Sequence, residues 1–434
     1  PCRSSRAGDS GSVAAAPWRL WTKLGWRNLG RNRRRTFITA TGLGFGYFAV
    51  VFMVGWADGL KAEMIENGTG LLSGQIQIHS GDYRPERSIY DTIGGPEGTG
   101  VKTLLAAVLA DPAVEAAAPR VYASGLVSSG ESTTAAMLLG FDPELEPKVS
   151  RILRGLVRGR IPAAGANELL IGTEMSRGLE VGEGAEVVLV APAADGSMGN
   201  DVFIVTGIFR SGLQETDATY ALLPLDTLQR LLALEPSRIH EVAVRTRDPW
   251  AAPEAADRLE RSLSPSSPGA EIEPWTRLRP EMLYYITLLD SWYWILLVIV
   301  FVIALFGVAN TMLMATFERR REFAVMLALG TTPLQVVLAV VSEALALGLL
   351  SLMVGVLVTL PLMLWWQWAP PDLSFFYGEF TMFGALMRPV LRVEYDVVMS
   401  MWSGAALLLT ALVAAIYPAA HASRVPPADI LSGL

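Results

Sequence analysis

Residues 292–316 read WYWILLVIVFVIALFGVANTMLMAT, an apolar run of 25 residues without a charged side chain. An α-helix rises about 1.5 Å per residue, so crossing a bilayer core of roughly 30 Å takes about 20 residues. The run therefore predicts a membrane-spanning helix. Three more stretches are similarly long and apolar, namely 36–57, 333–364 and 397–418. The sequence thus predicts an α-helical membrane protein with four transmembrane helices.

The composition of the whole chain agrees with this class. The 434 residues are 51% apolar and only 18% charged, which differs from ordinary soluble domains. The net charge of −7, with arginines clustered beside the apolar runs, argues against a nucleic-acid partner. The single cysteine, Cys2, excludes an internal disulfide and a cysteine-based metal site. Residues 1–17 are polar and are predicted to form a disordered leader.

Basic residues on the flanks of the spans predict their orientation. Cytoplasmic flanks carry the excess of Lys and Arg, and six such residues, from Lys23 to Arg35, precede the first span. Acidic residues, including Asp58, Glu63 and Glu66, follow it. Both termini are therefore predicted to be cytoplasmic. Residues 58–291 and 365–396 then lie outside, and residues 317–332 and the tail 419–434 inside.

The segment 18–35 mixes tryptophan with arginine and lysine. This pattern is typical of an amphipathic helix lying in the membrane interface, which is our interpretation. A plain basic flank with incidental tryptophans stays open as the alternative.

The long exterior segment has the periodicity of a folded α+β domain. Strand-like and helix-like runs alternate as a βαββ unit in 75–142 and a βαβ unit in 239–275. We expect the two ends to build one split α/β part. Between them, residues 151–232 contain short strands with glycine turns, which predicts an inserted β-rich subdomain.

Motifs for catalysis are missing from the sequence. The lysines Lys23, Lys61, Lys102 and Lys148 all lack the glycine-rich context of a phosphate-binding loop. His240 and Glu241 begin a His-Glu pair, but position 244 is valine, so the helical two-histidine zinc pattern is absent. We therefore predict no catalytic residue, no metal and no cofactor bound by this chain, which would not be an enzyme by itself.

Glu343 is the one carboxylate placed well inside a predicted span. An unpaired charge there costs about 3 kcal/mol or more, so such a residue is usually paired or functional. We favour an ion pair or an interhelical hydrogen bond, with a neutral carboxyl group as the alternative.

The turn FERRREFAVMLALGTTP, residues 317–333, joins two spans on the predicted cytoplasmic side. From Glu322, the residues Phe323, Met326, Leu327 and Gly330 follow helical spacing. This predicts a short amphipathic helix that Gly330 ends. Its apolar stripe could contact lipid or enter a groove on a cytosolic protein, and spacing alone leaves both open.

The same turn, continued through residues 322–355, resembles the cytoplasmic turn and third span of FtsX/MacB-type ABC transporter permeases. WRNLGRNRRRTF (26–37), one large exterior domain and YPAAHASRVPPADILSGL (417–434) occur in the order typical of that family. GQIQIHSGDY (74–83) is most similar to lipoprotein-releasing, Lol-type permeases.

The resemblance implies a function and a set of partners. Residues 322–330 would be a coupling helix that engages a cytosolic ABC ATPase, present in two copies, which binds ATP and Mg. A second permease subunit, identical or paralogous, would complete the complex, helped by the small residues of GLGFG (42–46). The exterior domain would consist of a Porter-like part, 75–142 with 239–275, and a Sabre-like part, 151–232.

The substrate implied by the Lol-type resemblance is a lipoprotein, extracted from the outer leaflet of the inner membrane by mechanotransmission. Apolar residues of the first two spans would line a cavity open to membrane lipid. We name these as Phe48, Phe52, Trp56, Leu296 and Phe301.

Two alternatives within the family stay open: a MacB-like exporter of drugs or peptides, and an FtsX-like scaffold that controls a cell-wall hydrolase. Docking of a periplasmic carrier is also open. The family subunit that recruits the carrier uses a long, proline-bearing hairpin, whereas the turn here, 191–201, is short and has no proline after Pro192.

Overall fold

The computed structural model describes residues 33–81, 88–95, 100–130, 132–264, 269–373, 375–376, 380–382, 385–387 and 390–426. The predicted leader, most of the predicted interfacial helix and the last residues of the tail lie outside these ranges. The chain divides into two compact units. The helical unit comprises Pro1–Leu60, Leu289–Pro371 and Leu391–Leu434, and the sheet unit comprises Lys61–Leu288 and Asp372–Val390.

The helices of the described residues are α1 Arg33–Gly70, α2 Val101–Leu109, α3 Glu146–Val149, α4 Thr173–Leu179, α5 Gln214–Thr219, α6 Leu225–Leu231, α7 Ala252–Leu263, α8 Trp275–Leu278, α9 Pro280–Glu318, α10 Arg320–Ala328, α11 Pro333–Trp368 and α12 Val397–Ser423. The strands are β1 Ile76–Ser80, β2 Ile93–Gly94, β3 Val114–Ser129, β4 Ser132–Phe141, β5 Leu156–Gly159, β6 Glu168–Gly172, β7 Glu186–Pro192, β8 Met198–Phe209, β9 Tyr220–Pro224, β10 Arg238–Ile239, β11 Glu241–Thr246, β12 Ala270–Pro274, β13 Phe380–Met382 and β14 Ala385–Met387.

Four helices in the described part of the chain are long and apolar enough to cross a membrane: α1, α9, α11 and α12. Each contains one predicted span, but α1 and α9 are far longer than the span. Helix α1 continues past Ala57 through the polar stretch DGLKAEMIENGTG to Gly70. Lys, Ala, Glu and Met are strong helix formers, so the helix persists after the apolar run has ended. The apolar pattern therefore predicted the span and underestimated the helix.

The core of the helical unit is formed by residues of α1, α11 and α12, with contributions from α9 and α10. Gly44 of α1 faces Gly355 of α11 so closely that a Cβ at Gly44 would stand 3.0 Å from the Gly355 nitrogen. Gly42 and Gly46, in contrast, have no atom within 4 Å of such a Cβ. The GLGFG run (42–46) therefore packs against α11 of the same chain at Gly44. Helix α9 is the least buried of the four. In its most apolar segment 11% of the residues are buried, compared with 28–33% in the other three helices.

The sheet unit is built around a ten-stranded sheet. Its strand order is β12-β1-β11-β3-β4-β9-β6-β8-β5, and β7 pairs with β3 and β8. Both predicted end units form, as β1, α2, β3 and β4 and as β11, α7 and β12, and they interleave. Strand β1 of the first end unit lies between β11 and β12 of the second. Its residue Ile78 is paired with Val242 of β11 on one side and with Ile272 of β12 on the other.

The predicted insertion is not a separate sheet. Strand β3 is 16 residues long, which allows its first half to pair with β11 and its second half, Leu126–Ser128, with β7 of the insertion. Strand β4 pairs along its last half with β9, which is also part of the insertion. The short-strand pattern of 151–232 correctly indicated β structure. The long strands β3 and β4 join it to the rest by backbone hydrogen bonds.

Candidate coupling helix and membrane cleft

Helix α10 lies between the second and third apolar helices and is closed by a tight turn. Gly330 has a φ of +92°, a conformation that glycine adopts without steric cost. Helix α11 then begins with a capping box. The Gln335 nitrogen donates to the Thr332 hydroxyl at 3.4 Å, and the Thr332 nitrogen donates to the Gln335 side chain at 3.0 Å. With Pro333 at the first helical position, this sequence fixes where one helix ends and the next begins.

The structure corrects which face of α10 is available to a partner. Phe323 is 2% exposed and belongs to the core of the helical unit, and Met326 and Leu327 are half-buried against that core. The exposed apolar side chains are Val325, 43% exposed, and Leu329, 82% exposed. The predicted stripe is real, but it packs mainly on its own chain. The second apolar side of the helix, which carries Val325 and Leu329, is exposed.

Arg319, between α9 and α10, joins three elements of the helical unit. Its Nη1 donates to the Glu343 carboxylate of α11 at 2.6 Å, and its Nε donates to Glu322 of α10 at 2.9 Å. Its guanidinium also lies over the Phe323 ring, 5.3 Å from the centroid. Glu343, which the sequence singled out, is therefore ion-paired in the structure. The arginine was missed because it lies 24 positions away from its partner.

The energetic cost of breaking this pair follows from its burial. Only 11% of the Glu343 side chain and 20% of the Arg319 side chain are exposed. Removing one partner of a buried pair leaves a desolvated charge and costs roughly 3–5 kcal/mol. Because Arg319 retains some contact with the surface, we expect a value near the lower limit.

A narrow apolar cleft lies between α1, α9 and α12. Its lining comprises Leu43, Gly46, Tyr47, Val50, Val300, Phe301, Ala304, Ser403, Leu407 and Thr410. Of the five predicted cavity residues, only Phe301 is among them. The cleft lies between the two spans named in the prediction and a third helix, α12, which contributes three lining residues.

The other predicted cavity residues lie elsewhere in the helical unit. Phe48 stacks on Phe52 with ring centroids 5.8 Å apart, and Phe52 packs edge-on against Trp366 of α11 at 5.1 Å. Trp56 and Leu296 are exposed outside the lining. Phe52 therefore faces α11, and the cleft lies along a different side of α1.

A polar cluster lies next to the cleft. The Tyr47 hydroxyl is 2.6 Å from the Ser400 hydroxyl, and the Tyr395 hydroxyl donates to the same Ser400 oxygen at 3.2 Å. Both Tyr47 and Ser400 are buried. Sequence reasoning did not identify this cluster, although a tyrosine within an apolar span was a usable signal, since a buried hydroxyl needs a partner.

In the sheet unit, Arg120 is the centre of a buried charge cluster. Its side chain is 0% exposed, donates twice to Glu146, at 3.0 and 2.5 Å, and donates once to Glu241, at 3.0 Å. The two carboxylates raise the arginine pKa well above its ordinary value against the opposing effect of burial. Arg120 also donates to the Leu72 carbonyl, just past the end of α1. The cluster therefore fixes the residues after α1 to the sheet.

Two neighbouring residues fix the end of α1 in the same way. The Arg151 nitrogen donates to the Gly70 carbonyl at 2.8 Å, and the Ser150 hydroxyl donates to the Leu71 carbonyl at 3.0 Å. The Arg151 side chain adds an ion pair with Glu66. The final carbonyls of a helix have no intrahelical partner, and here groups from the sheet unit satisfy them.

His240, the first residue of the predicted His-Glu pair, has a structural role. It is fully buried, its Nδ1 accepts from the Tyr122 nitrogen at 3.0 Å, and its Nε2 contacts the Ile89 carbonyl at 3.1 Å. Burial lowers its pKa below the ordinary value, so the ring is neutral at pH 7. Within the described residues, no group of three or more His, Cys, Asp or Glu side chains is arranged to hold a metal.

Two family models match the chain. The MacB-like periplasmic core domain matches residues 36–262, which is more than half of the chain, and the FtsX-like permease C-terminal region matches residues 294–427. The first match ends in α7 of the sheet unit, and the second begins inside the apolar helix α9. The order of the two matches is the order predicted from the sequence.

Similar proteins include the lipoprotein-releasing system transmembrane protein LolE of Haemophilus influenzae. It is 25% identical over 338 residues, covering 74% of this chain and 78% of the relative. The macrolide export ATP-binding/permease protein MacB 2 of Aeromonas hydrophila is 25% identical over 350 residues, covering 76% of this chain and 50% of the relative. Among solved structures, the periplasmic region of MacB from Actinobacillus actinomycetemcomitans superposes with a TM-score of 0.35 and 16% identity, covering 50% and 96% of the two chains.

The matches agree with the four apolar helices and the large α/β domain between the first two of them. The chain therefore belongs to the family of MacB-like and FtsX-like ABC transporter permeases, with Lol-type lipoprotein-releasing permeases among its relatives.

Proposed function

We propose that this chain is the membrane subunit of an ABC transporter that extracts lipoproteins from the outer leaflet of the inner membrane. A separate cytosolic ATPase, in two copies, would bind ATP and Mg and supply the energy. The observation that carries this proposal is helix α10, which presents Val325 and Leu329 outward between two apolar helices. Lol-type proteins among the relatives support the lipoprotein as cargo.

The exposed face of α10 suits docking into a groove of the ATPase. Val325 and Leu329 are four residues apart and share one side of the helix, with Ala328 beside them. An amphipathic helix binds a groove through anchors of this spacing. The opposite side is held by Phe323 in the core, so a push on Val325 and Leu329 moves a helix that is already packed on the spans.

Motion in the membrane would reach the exterior domain through α1. This helix runs without interruption from Arg33 to Gly70, and Arg120, Ser150 and Arg151 bind its last carbonyls and the residues just after it. Mechanotransmission requires a stiff element fastened at its far end. We assign the Porter-like part to 75–142 with 239–275 and the Sabre-like part to 151–232.

Both termini and α10 would be cytoplasmic, and the sheet unit periplasmic, in the inner membrane. A second permease subunit, identical or paralogous, would complete the complex and cover part of the sparsely buried helix α9. The cleft beside Phe301 replaces the predicted cavity as the candidate site for acyl chains. We include no carrier docking, because the turn between β7 and β8 closes tightly with the Ala193 nitrogen bonded to the Ser197 carbonyl at 2.9 Å.

The test uses vesicles that contain the purified chain with its ATPase and a triacylated lipoprotein. ATP should release the lipoprotein from the membrane. Changing Leu329→Glu should abolish ATPase binding and release, since it places a charge in an apolar contact. Gln335→Glu is the matched control, because it adds the same charge nearby and still completes the capping box. Full ATPase binding by Leu329→Glu would refute the docking face.

The MacB relative supports a second candidate, the export of a drug or peptide. The same vesicles distinguish the two, because an exporter of soluble compounds would hydrolyse ATP and move a labelled macrolide or peptide without releasing lipoprotein. ATP hydrolysis without any transport, together with stimulation of a cell-wall hydrolase, would instead favour the signalling scaffold.

A further inference from the structure

We propose that Arg319 is a positioning residue that makes the coupling helix α10 and the apolar helix α11 move as one body, with Glu343 as its fixed partner. This role rests on the proposed function of α10. The contacts that carry it are those of one guanidinium with Glu343 at 2.6 Å, with Glu322 at 2.9 Å and with the Phe323 ring.

The location of the pair explains why it would transmit motion. Arg319 stands at the junction of α9 and α10, and Glu343 lies ten positions into α11, which is about 15 Å along the helix. The backbone connection between α10 and α11 is the short turn around Gly330. The ion pair bridges the two helices away from this turn, so they cannot pivot about it freely.

The geometry also requires arginine at this position. The two carboxylates approach different nitrogens of a planar guanidinium, Nη1 and Nε, which a single ammonium group cannot offer at a fixed angle. The adjacent Arg320 and Arg321 are exposed, whereas Arg319 is half-buried. Arg321 therefore serves as a matched control for the loss of one positive charge.

The first experiment compares Arg319→Met, Arg319→Lys and Arg321→Met in the vesicles described above. The readout is lipoprotein released per ATP hydrolysed. We expect Arg319→Met to lower this ratio at least fivefold, the lower end of typical coupling between sites. The Arg319→Lys protein should give an intermediate ratio. It should also fold and assemble even if the Arg319→Met protein does not, because it keeps a positive charge beside Glu343. Arg321→Met should leave the ratio as in the unchanged protein.

The second measurement does not depend on the cargo. Nitroxide labels at Arg320→Cys and Leu338→Cys, with Cys2→Ser to remove the native thiol, report the distance between α10 and α11. With Arg319 present this distance should stay constant when ATP binds, whereas with Lys or Met at 319 it should change or broaden.

The outcomes separate the two proposals. Vesicles of the unchanged protein that hydrolyse ATP without releasing lipoprotein would overturn the proposed cargo, while the label distances still decide the role of Arg319. Distances that respond to ATP equally with Arg, Lys or Met at 319 would overturn the positioning role. A release ratio in Arg319→Lys equal to that of the unchanged protein would do the same.

Discussion

Replacing Arg120 with methionine should be among the most destabilising single changes in the sheet unit. Arg120 is completely buried and makes three charge-assisted hydrogen bonds to Glu146 and Glu241. Its loss would strand two buried carboxylates, which costs roughly 3–5 kcal/mol. For a unit of this size, each kcal/mol lowers the melting temperature by about 2–4 °C. The expected decrease is therefore roughly 6–20 °C.

The assay is thermal unfolding of the full chain in detergent, followed by circular dichroism. Arg160→Met is the control, because its pair with Glu168 is at the surface and surface pairs contribute little. A third variant, Arg120→Met with Glu146→Gln and Glu241→Gln, should recover much of the loss, since it removes the stranded charges. If the Arg120→Met protein had the same melting temperature as the Arg160→Met protein, this account of the cluster would be refuted.

Two further predictions concern packing and pH. Gly44→Val should overpack the contact with Gly355 and destabilise the helical unit by about 1–3 kcal/mol, whereas Gly42→Val, which meets no neighbour, should melt like the unchanged protein. Folding lowers the pKa of His240, so this side chain binds a proton more readily in the unfolded chain. The contribution of the neutral ring to the free energy of unfolding should therefore be fully present above about pH 6.5 and decrease as the pH falls below that value. Melting curves between pH 5 and 8 test this, and His240→Gln should flatten the profile; an unchanged slope would exclude His240 as its source.

Apolar length and helical spacing were the most informative features of the sequence. A run such as 292–316 has few alternatives to a spanning helix, because only a helix satisfies its own backbone in lipid. The end of α10 and the start of α11 were also predictable, since Gly330 and the Thr332-Pro333 pair act locally. The helical wheel of α10 contained Phe323 on one side and Leu329 on another. Spacing alone could not tell which of them faces the core.

The remaining errors concern pairings between distant residues. Phe48 and Phe52 are equally apolar whether α1 turns them toward α11 or toward the cleft, so only the packed structure gives the rotation of the helix. Arg319 and Glu343 meet because a turn folds α10 back against α11, which no local pattern records. The joining of the insertion through β3 and β4 was missed for the same reason.

The shared strands limit how this fold could have been assembled and how it can be recombined. Domains that are exchanged between proteins as cassettes usually meet at a loop, where few hydrogen bonds cross. Here a cut at residues 150 and 233 would strip partners from β3 and β4 and leave their outer halves as unpaired edges, which invite aggregation. A chimera that exchanges 151–232 with a relative should fold only if the second halves of β3 and β4 are exchanged with it.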